Sequence, residues 1–222
     1  PFVLAGLIAA GTGFGLERFT KGKEHVGVRE GFLVVSLTWA LIAVVVALPY
    51  VLSSDEQLSR PIDAYFEAMS GMTTTGASVV TDIPALDSSM LMWRQFSQWV
   101  GGMGIIVLAL AVLPRLRIGG RRLMESEAPG PELEALSVSI RATARRLWVL
   151  YVALTALLIL ILVFFGWTGI DERMDLFAAV GQAFSAMPTG GFGTDPRSIE
   201  PFAAASQWVL ALFMAIAGAN FA

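Results

Sequence analysis

Residues 68–76 read AMSGMTTTG, and residues 183–191 read AFSAMPTGG. The two stretches are identical at five of nine positions, and every matched pair is separated by the same interval, as Thr74 is from Thr189 and Gly76 from Gly191. The tripeptide Ser-Gln-Trp follows each copy, at 97–99 and again at 206–208. Self-similarity of this kind predicts that the chain contains two copies of one structural unit.

The composition around these copies is that of a membrane protein. Apolar residues make up 55% of the chain and charged residues 15%, whereas a soluble domain carries about a quarter charged residues. Mean hydropathy is +0.68. There is no cysteine and only one histidine, which excludes disulfides, thiolate metal sites and multi-histidine metal sites. Four charge-free stretches approach the ~20 residues that a membrane-spanning helix needs: 31–49, 95–113, 147–170 and 202–222.

The charges are sorted between the connections. Most basic residues lie in 18–29 and 115–146, and every aspartate lies in the other connections. By the positive-inside rule the basic connections face the cytoplasm, and the acidic connections, facing outward, raise the local concentration of cations. The shorter apolar stretches 68–80 and 176–194 must then dip into the membrane and return, which backbone tolerates only where protein shields it or where it lines a wet cavity.

These observations predict an all-α membrane protein built from helix–pore loop–helix repeats of potassium-channel-like architecture. We expect the end of a preceding transmembrane helix at 1–17, a cytoplasmic loop at 18–30 and the first repeat at 31–113. A cytoplasmic linker at 114–146 and a second repeat at 147–222 follow. Both ends of the chain are expected to be cuts through a longer protein, so that the second repeat is truncated.

The dipping segments have the chemistry of a cation filter. Ser59 is expected to cap a short helix that begins near Pro61 and runs inward to about Gly71, with its partially negative end favouring a cation in the membrane. Asp171 and Asp175 are expected to start the second short helix. Gly101, Gly102 and Gly104 are expected to let the following span pack tightly against the first dipping segment. Dehydrating an ion costs about 20 kcal/mol in an idealised low-dielectric medium, and rings of backbone carbonyls can replace the lost water. Gly76 and Gly191 permit the positive φ that directs carbonyls to an axis. Paired interrupted segments also predict a transport site.

Three motifs resemble the Trk/Ktr/HKT superfamily. The stretch 65–78, YFEAMSGMTTTGAS, resembles the first filter of that superfamily, and 93–106, WRQFSQWVGGMGII, resembles the span that follows it. The stretch 183–192, AFSAMPTGGF, resembles the second filter. The similarity covers essentially the whole chain and is greatest to the TrkH-type subunits.

The resemblance implies four repeats around one pore, two of which are present here. It implies potassium as the transported ion, a homodimer in the lipid of the cell membrane with several passes, a TrkA-type cytoplasmic nucleotide-binding partner, and no nucleic acid. Pro188 departs from the expected filter residue but keeps its carbonyl. The backbone carbonyls expected to hold potassium are those of Thr73, Thr74, Thr75, Gly76, Pro188, Thr189, Gly190 and Gly191.

Other interpretations remain open at this stage. A sodium-permeable or mixed potassium–sodium transporter of the same superfamily is the main alternative, although Gly76 stands where serine accompanies sodium passage in some members. A membrane enzyme would need nucleophiles, bases or metal ligands that the charge-free spans do not offer, so we expect no catalytic residue. A structural membrane subunit is a third possibility. The basic segment 115–146 either sets topology or docks a regulatory partner or anionic lipid.

Overall fold

A computed structural model of the chain describes residues 1–19, 28–53, 55–121 and 132–219. Within these ranges the protein is helical and contains no strand, which confirms the predicted all-α class. The helices are α1 Phe2–Phe19, α2 Val28–Val51, α3 Pro61–Met72, α4 Ser88–Arg121, α5 Glu132–Thr168, α6 Leu176–Ala186 and α7 Ala204–Ala219.

Helices α2 and α4 contain the predicted spans 31–49 and 95–113 and extend beyond them, whereas α5 ends at Thr168, just short of the end of the span predicted at 147–170. Helix α4 continues past residue 113 to Arg121, and α5 begins at Glu132, so parts of the predicted linker 114–146 are helical. Arginine, leucine and glutamate are good helix formers, so a charged sequence need not end a helix where the apolar stretch ends. In the described part of the chain, the segment 142–168 of α5 is long and apolar enough to cross a membrane, and shorter apolar segments lie in α2, α6 and α7.

Helices α3 and α6 are the short helices expected inside the two dipping segments. Each is followed by non-helical chain that turns back, and we call residues 61–80 the first hairpin and 176–195 the second. The Gln57 side chain closes the base of the first hairpin. Its amide oxygen accepts from the backbone N–H groups of Thr81 and Asp82 at 3.1 and 2.9 Å. Since Gln57 precedes α3, the chain has returned to the level at which the hairpin began.

Helix α4 contacts both α3 and α6. Its residues contribute to two buried clusters. The first joins α2 and α3 to the start of α4 through residues that include Tyr50, Ala64, Ala68 and Met90. The second joins α4, α5, α6 and α7 through residues that include Met103, Leu158, Ala179, Met187 and Leu210.

The two short helices begin differently. Asp175 is the N-cap of α6 and accepts from the Ala178 N–H at 2.7 Å, which confirms that it starts the second short helix. The expectation for Ser59 is wrong. Arg60 is the N-cap of α3 without a side-chain cap bond, and the Ser59 hydroxyl donates instead to the Glu56 carbonyl at 3.0 Å. Ser59 lies one residue too early to reach the first free N–H groups, and Pro61 removes one of them.

This difference makes a matched test of capping. Asp175→Ala is expected to lower the free energy of unfolding by about 0.5–2 kcal/mol, because an N–H at the start of α6 loses its partner. Ser59 also precedes a short helix, α3, but does not cap it. Ser59→Ala should therefore change stability far less. Thermal unfolding of both variants in detergent measures the difference. Equal losses would contradict the assigned cap.

Candidate functional site

The turns of the two hairpins have the same backbone conformation. Thr74 and Thr189 both have φ of 54°, and Gly76 and Gly191 have φ of 75° and 87°. Positive φ at both glycines was predicted from the sequence and is confirmed. For a β-branched residue such as threonine a positive φ is unusual and strained. Its recurrence at the same position of both copies indicates that the turn serves the function of the hairpin.

The hydrogen bonds that build these turns are also repeated. Thr74 and Thr75 donate through their N–H groups to the carbonyls of Gly71 and Ser70, at 3.0 and 2.9 Å. The equivalent bonds of the second hairpin run from Thr189 to Ala186 and from Gly190 to Ser185, both at 2.9 Å. Carbonyls at the end of each short helix therefore accept from N–H groups of the turn. These bonds involve none of the turn's own carbonyls.

The carbonyls expected to hold potassium accept no hydrogen bond from the part of the chain that the structure describes. These are the main-chain oxygens of 73–76 and 188–191. Thr75, Thr189 and Gly191 are exposed, and Thr73, Thr74 and Gly76 are partly exposed, so their unpaired oxygens are open to an ion or to water. Within the same described ranges, no three His, Cys, Asp or Glu side chains form a cluster suited to a metal ion.

The two turns lie against each other. A Cβ atom added at Gly76 would overlap the carbonyl oxygen of Gly190 and would lie 3.8 Å from Cα of Gly191. Glycine is therefore required at position 76 for two reasons. It adopts the positive φ without strain, and the second hairpin leaves no room for a side chain. The eight residues singled out from the sequence come together as two adjacent turns, although they are far apart in the chain.

The hairpins differ in what stiffens them. In the first, the Thr73 hydroxyl donates to the Met69 carbonyl at 2.8 Å and lies 2.8 Å from the Thr75 hydroxyl. Pro188 and Gly190 occupy the equivalent places in the second hairpin and have no hydroxyl. The second hairpin is instead held from outside by a residue of α4.

That residue is Gln98, whose role could not be read from the sequence beyond its recurrence in the Ser-Gln-Trp motif. Its amide oxygen accepts from the Ser185 hydroxyl at 3.0 Å and from the Phe192 N–H at 3.1 Å. A Cβ atom at Gly190 would lie 2.5 Å from Cδ of Gln98. The Gln98 amide thus occupies the space that a side chain at 190 would need, which explains why glycine stands there.

Glycines on α4 let this helix approach both turns. A Cβ atom at Gly101 would overlap the Met72 carbonyl oxygen, and one at Gly102 would lie 2.5 Å from Cβ of Pro188. The prediction of tight packing against the first hairpin is confirmed for Gly101. Gly102 packs instead against Pro188 of the second hairpin, and Gly104 packs against Trp39 of α2. Small residues at helix contacts allow this close approach.

A buried ion pair lies beneath the first turn, and the sequence did not predict it. Glu67 of α3 and Arg94 of α4 are 0% and 1% exposed, and Oε1 of Glu67 is 2.7 Å from Nε of Arg94. The Ser78 hydroxyl donates to Glu67 at 2.9 Å, and the Val79 N–H donates to Glu67 at 3.1 Å. The only sign of this pair in the sequence is that Glu67 and Arg94 are each an isolated charge in an otherwise apolar stretch.

Asp171 has a different place from the one expected. It was predicted to start the second short helix together with Asp175, but the structure places it against the start of α7. Its Oδ2 atom accepts from the Ser206 hydroxyl at 2.6 Å and from the Ala203 N–H at 2.9 Å. Because α7 begins at Ala204, this carboxylate binds an N–H that precedes the helix and would otherwise lack a partner.

Acidic side chains of the connecting loops line a cavity of about 560 Å³ near the base of the first hairpin. Gln57, which closes that base, is one of its lining residues. The carboxylates are those of Asp55, Glu56, Asp82 and Asp87. Carboxylates around one cavity raise the local concentration of cations.

Comparison with known proteins relates the chain to cation transporters. The TrkH family, described as cation transport proteins, matches residues 4–222. The Trk system potassium uptake protein TrkH of Escherichia coli (strain K12) is 41% identical over 203 residues, which cover 90% of this chain and 40% of that protein. The Halomonas elongata TrkH is 39% identical over 223 residues, covering 99% of this chain and 45% of the relative.

A further relative carries a related name. The Trk system potassium uptake protein TrkG of Escherichia coli (strain K12) is 40% identical over 175 residues, covering 78% of this chain and 34% of that protein. The chain therefore spans about two fifths of the length of the curated relatives it matches.

Proposed function

The chain belongs to the TrkH family of cation transport proteins, and on that premise we propose that it forms part of the pore of a potassium uptake subunit. Dehydrated K⁺ is held by the main-chain carbonyls of 73–76 and 188–191. The observation that carries the proposal is that these carbonyls accept no hydrogen bond from any described residue and lie on two turns that touch. Rings of such oxygens replace the hydration shell of the ion.

The remaining oxygens of the ring come from further repeats of the same kind. Two exposed features support this. Trp99 of α4 packs on Phe184 and Tyr151 of the second repeat, with ring centroids 5.2 and 5.5 Å apart, whereas its counterpart Trp208 of α7 is 77% exposed. Likewise Gly76 faces Gly190, whereas a Cβ atom at Gly191 would meet no described atom within 4 Å.

The surroundings of the subunit follow from the same proposal. It lies in the cell membrane with several passes, and exposed apolar side chains such as Leu160 and Trp167 of α5 face lipid. The basic connections lie on the cytoplasmic side, where a TrkA-type nucleotide-binding protein regulates the flux, and the complete subunit forms a homodimer. The acidic cavity faces outward and supplies cations. No step of this function is catalytic.

The test is uptake by the complete protein that contains this chain. Expressed in a bacterial strain that lacks potassium uptake systems, it is expected to restore growth on limiting potassium and to take up Rb⁺, a potassium tracer. Sodium uptake is measured in the same cells, so that a sodium-permeable transporter is distinguished from a potassium-selective one. No uptake above the empty-vector control, with the protein present in the membrane fraction, would overturn the proposal.

A further inference from the structure

Arg94 contacts both hairpins. Its Nε atom binds Glu67 at 2.7 Å, and its Nη2 atom donates to the Ser78 hydroxyl at 3.0 Å, two residues beyond Gly76. The centre of the same guanidinium lies 4.4 Å from the ring centroid of Phe192. Since Phe192 directly follows Gly191, a single side chain of α4 touches the chain just after each of the two filter glycines.

The contacts of Arg94 with Glu67 and Phe192 are sheltered from water, whereas Ser78 is exposed. The Phe192 ring is 2% exposed, and the N–H of this residue donates to Gln98, which also belongs to α4. The Nη1 atom of Arg94 is buried and has no hydrogen-bond partner among the described residues. The aromatic face is therefore the favourable surface available to that end of the cation, and such contacts are strongest where water is excluded.

The arrangement occurs in one copy of the described repeat. Gln182 stands where Glu67 stands in the first copy, and it donates to the Thr194 hydroxyl at 3.3 Å. Ala203 occupies the place of Arg94 when the Ser-Gln-Trp motifs are matched. A neutral side chain thus suffices to hold the non-helical segment that returns after the short helix. The charge in the first copy needs a reason other than holding its own hairpin together.

We infer that Arg94 is a positioning residue for ion selectivity, which sets the distance between the two filter turns by linking Glu67 and Ser78 of the first hairpin to Phe192 of the second. This inference rests on the proposed potassium pore. Discrimination between K⁺ and Na⁺ depends on the number and placement of the carbonyl oxygens. Among the described residues no main-chain hydrogen bond joins the two turns, so their spacing depends on direct packing and on side chains that contact both hairpins, of which Arg94 is one.

The guanidinium is suited to this task, and an ammonium is not. Arginine offers a planar fork that binds two acceptors and still stacks on an aromatic ring, whereas lysine is a compact point charge. Arg94→Lys can keep a pair with Glu67 but cannot also bind Ser78 and cover Phe192. Buried ion pairs add little net stability compared with apolar side chains of similar size, so a positioning role accounts better for this one.

The experiment measures the ratio of K⁺ to Na⁺ uptake by the complete transporter in proteoliposomes. Phe192→Leu, which leaves the Glu67–Arg94 pair intact, is expected to lower this ratio about three- to thirtyfold, which corresponds to the energy range of one cation–π contact from partly to fully desolvated. Arg94→Lys should lower it at least as much. Combining both substitutions should add little to Arg94→Lys, because both remove the same link.

Matched controls separate positioning from general damage. Phe213→Leu removes the same volume from the buried core of α7, and Arg197→Lys alters an exposed arginine; neither should move the ratio. If the parent protein transports K⁺ but the ratio in Phe192→Leu equals that in Phe213→Leu, the inference is wrong. If the parent transports neither ion, the proposed function fails instead.

Discussion

Gly76→Ala is expected to abolish potassium uptake by the complete transporter. One added methyl group would overlap the Gly190 carbonyl oxygen, and the residue would have to keep a φ of 75°. The strain of that conformation alone costs an L-residue about 1–2 kcal/mol. The overlap is with backbone of the opposite turn, so it can be relieved only by moving carbonyls proposed to bind the ion. Rb⁺ uptake at limiting concentration measures the loss.

Gly169 provides the control for this substitution. It has the same φ of 75°, lies exposed just after α5, and a Cβ atom there would meet nothing within 4 Å. Gly169→Ala therefore carries the conformational cost without the overlap and should leave uptake near that of the parent. Normal uptake by Gly76→Ala, or equal loss in both variants, would contradict the placement of the two turns.

Glu67→Gln is expected to lower the free energy of unfolding by about 3–5 kcal/mol, since it leaves a buried cation without its counter-charge. The Gln oxygen can accept from Ser78 and Val79, but the amide N–H group then faces Nε of Arg94, so the loss measures the charge together with the Arg94 hydrogen bond. Thermal unfolding in detergent, followed by tryptophan fluorescence, is the measurement. The double variant Glu67→Gln/Arg94→Met should recover most of the loss, because it removes both charges.

The comparison substitution is Glu200→Gln. Glu200 pairs with Arg197 at 3.4 Å, and both side chains are largely exposed. Such a pair is worth about 0–1 kcal/mol, because water screens it. A loss for Glu67→Gln no greater than that for Glu200→Gln would show that Arg94 is not held by the Glu67 charge. A double variant Glu67→Gln/Arg94→Met as unstable as Glu67→Gln alone would lead to the same conclusion.

Much of the site was predictable because it depends on local rules. The need for glycine at 76 and 191 follows from a turn with positive φ, and the start of α6 follows from the capping preference of aspartate at 175. Close packing by Gly101 and Gly102 follows from the use of small residues at helix contacts. The helix start near Pro61 was predicted correctly, but the capping assignment of Ser59 failed because the N-cap position is that of Arg60, one residue after Ser59.

The sequence by itself determined the helical class, the membrane-like composition, the repeat and the residues of the two turns, since periodicity, composition and local backbone preference suffice for these. Only the tertiary structure decided that α4 supports both hairpins, that Glu67 pairs with Arg94 and that Gln98 holds Phe192. Those contacts join residues 27 and 94 positions apart. A lone charge or amide in an apolar stretch must find a partner when buried, but which partner it meets depends on how the helices pack.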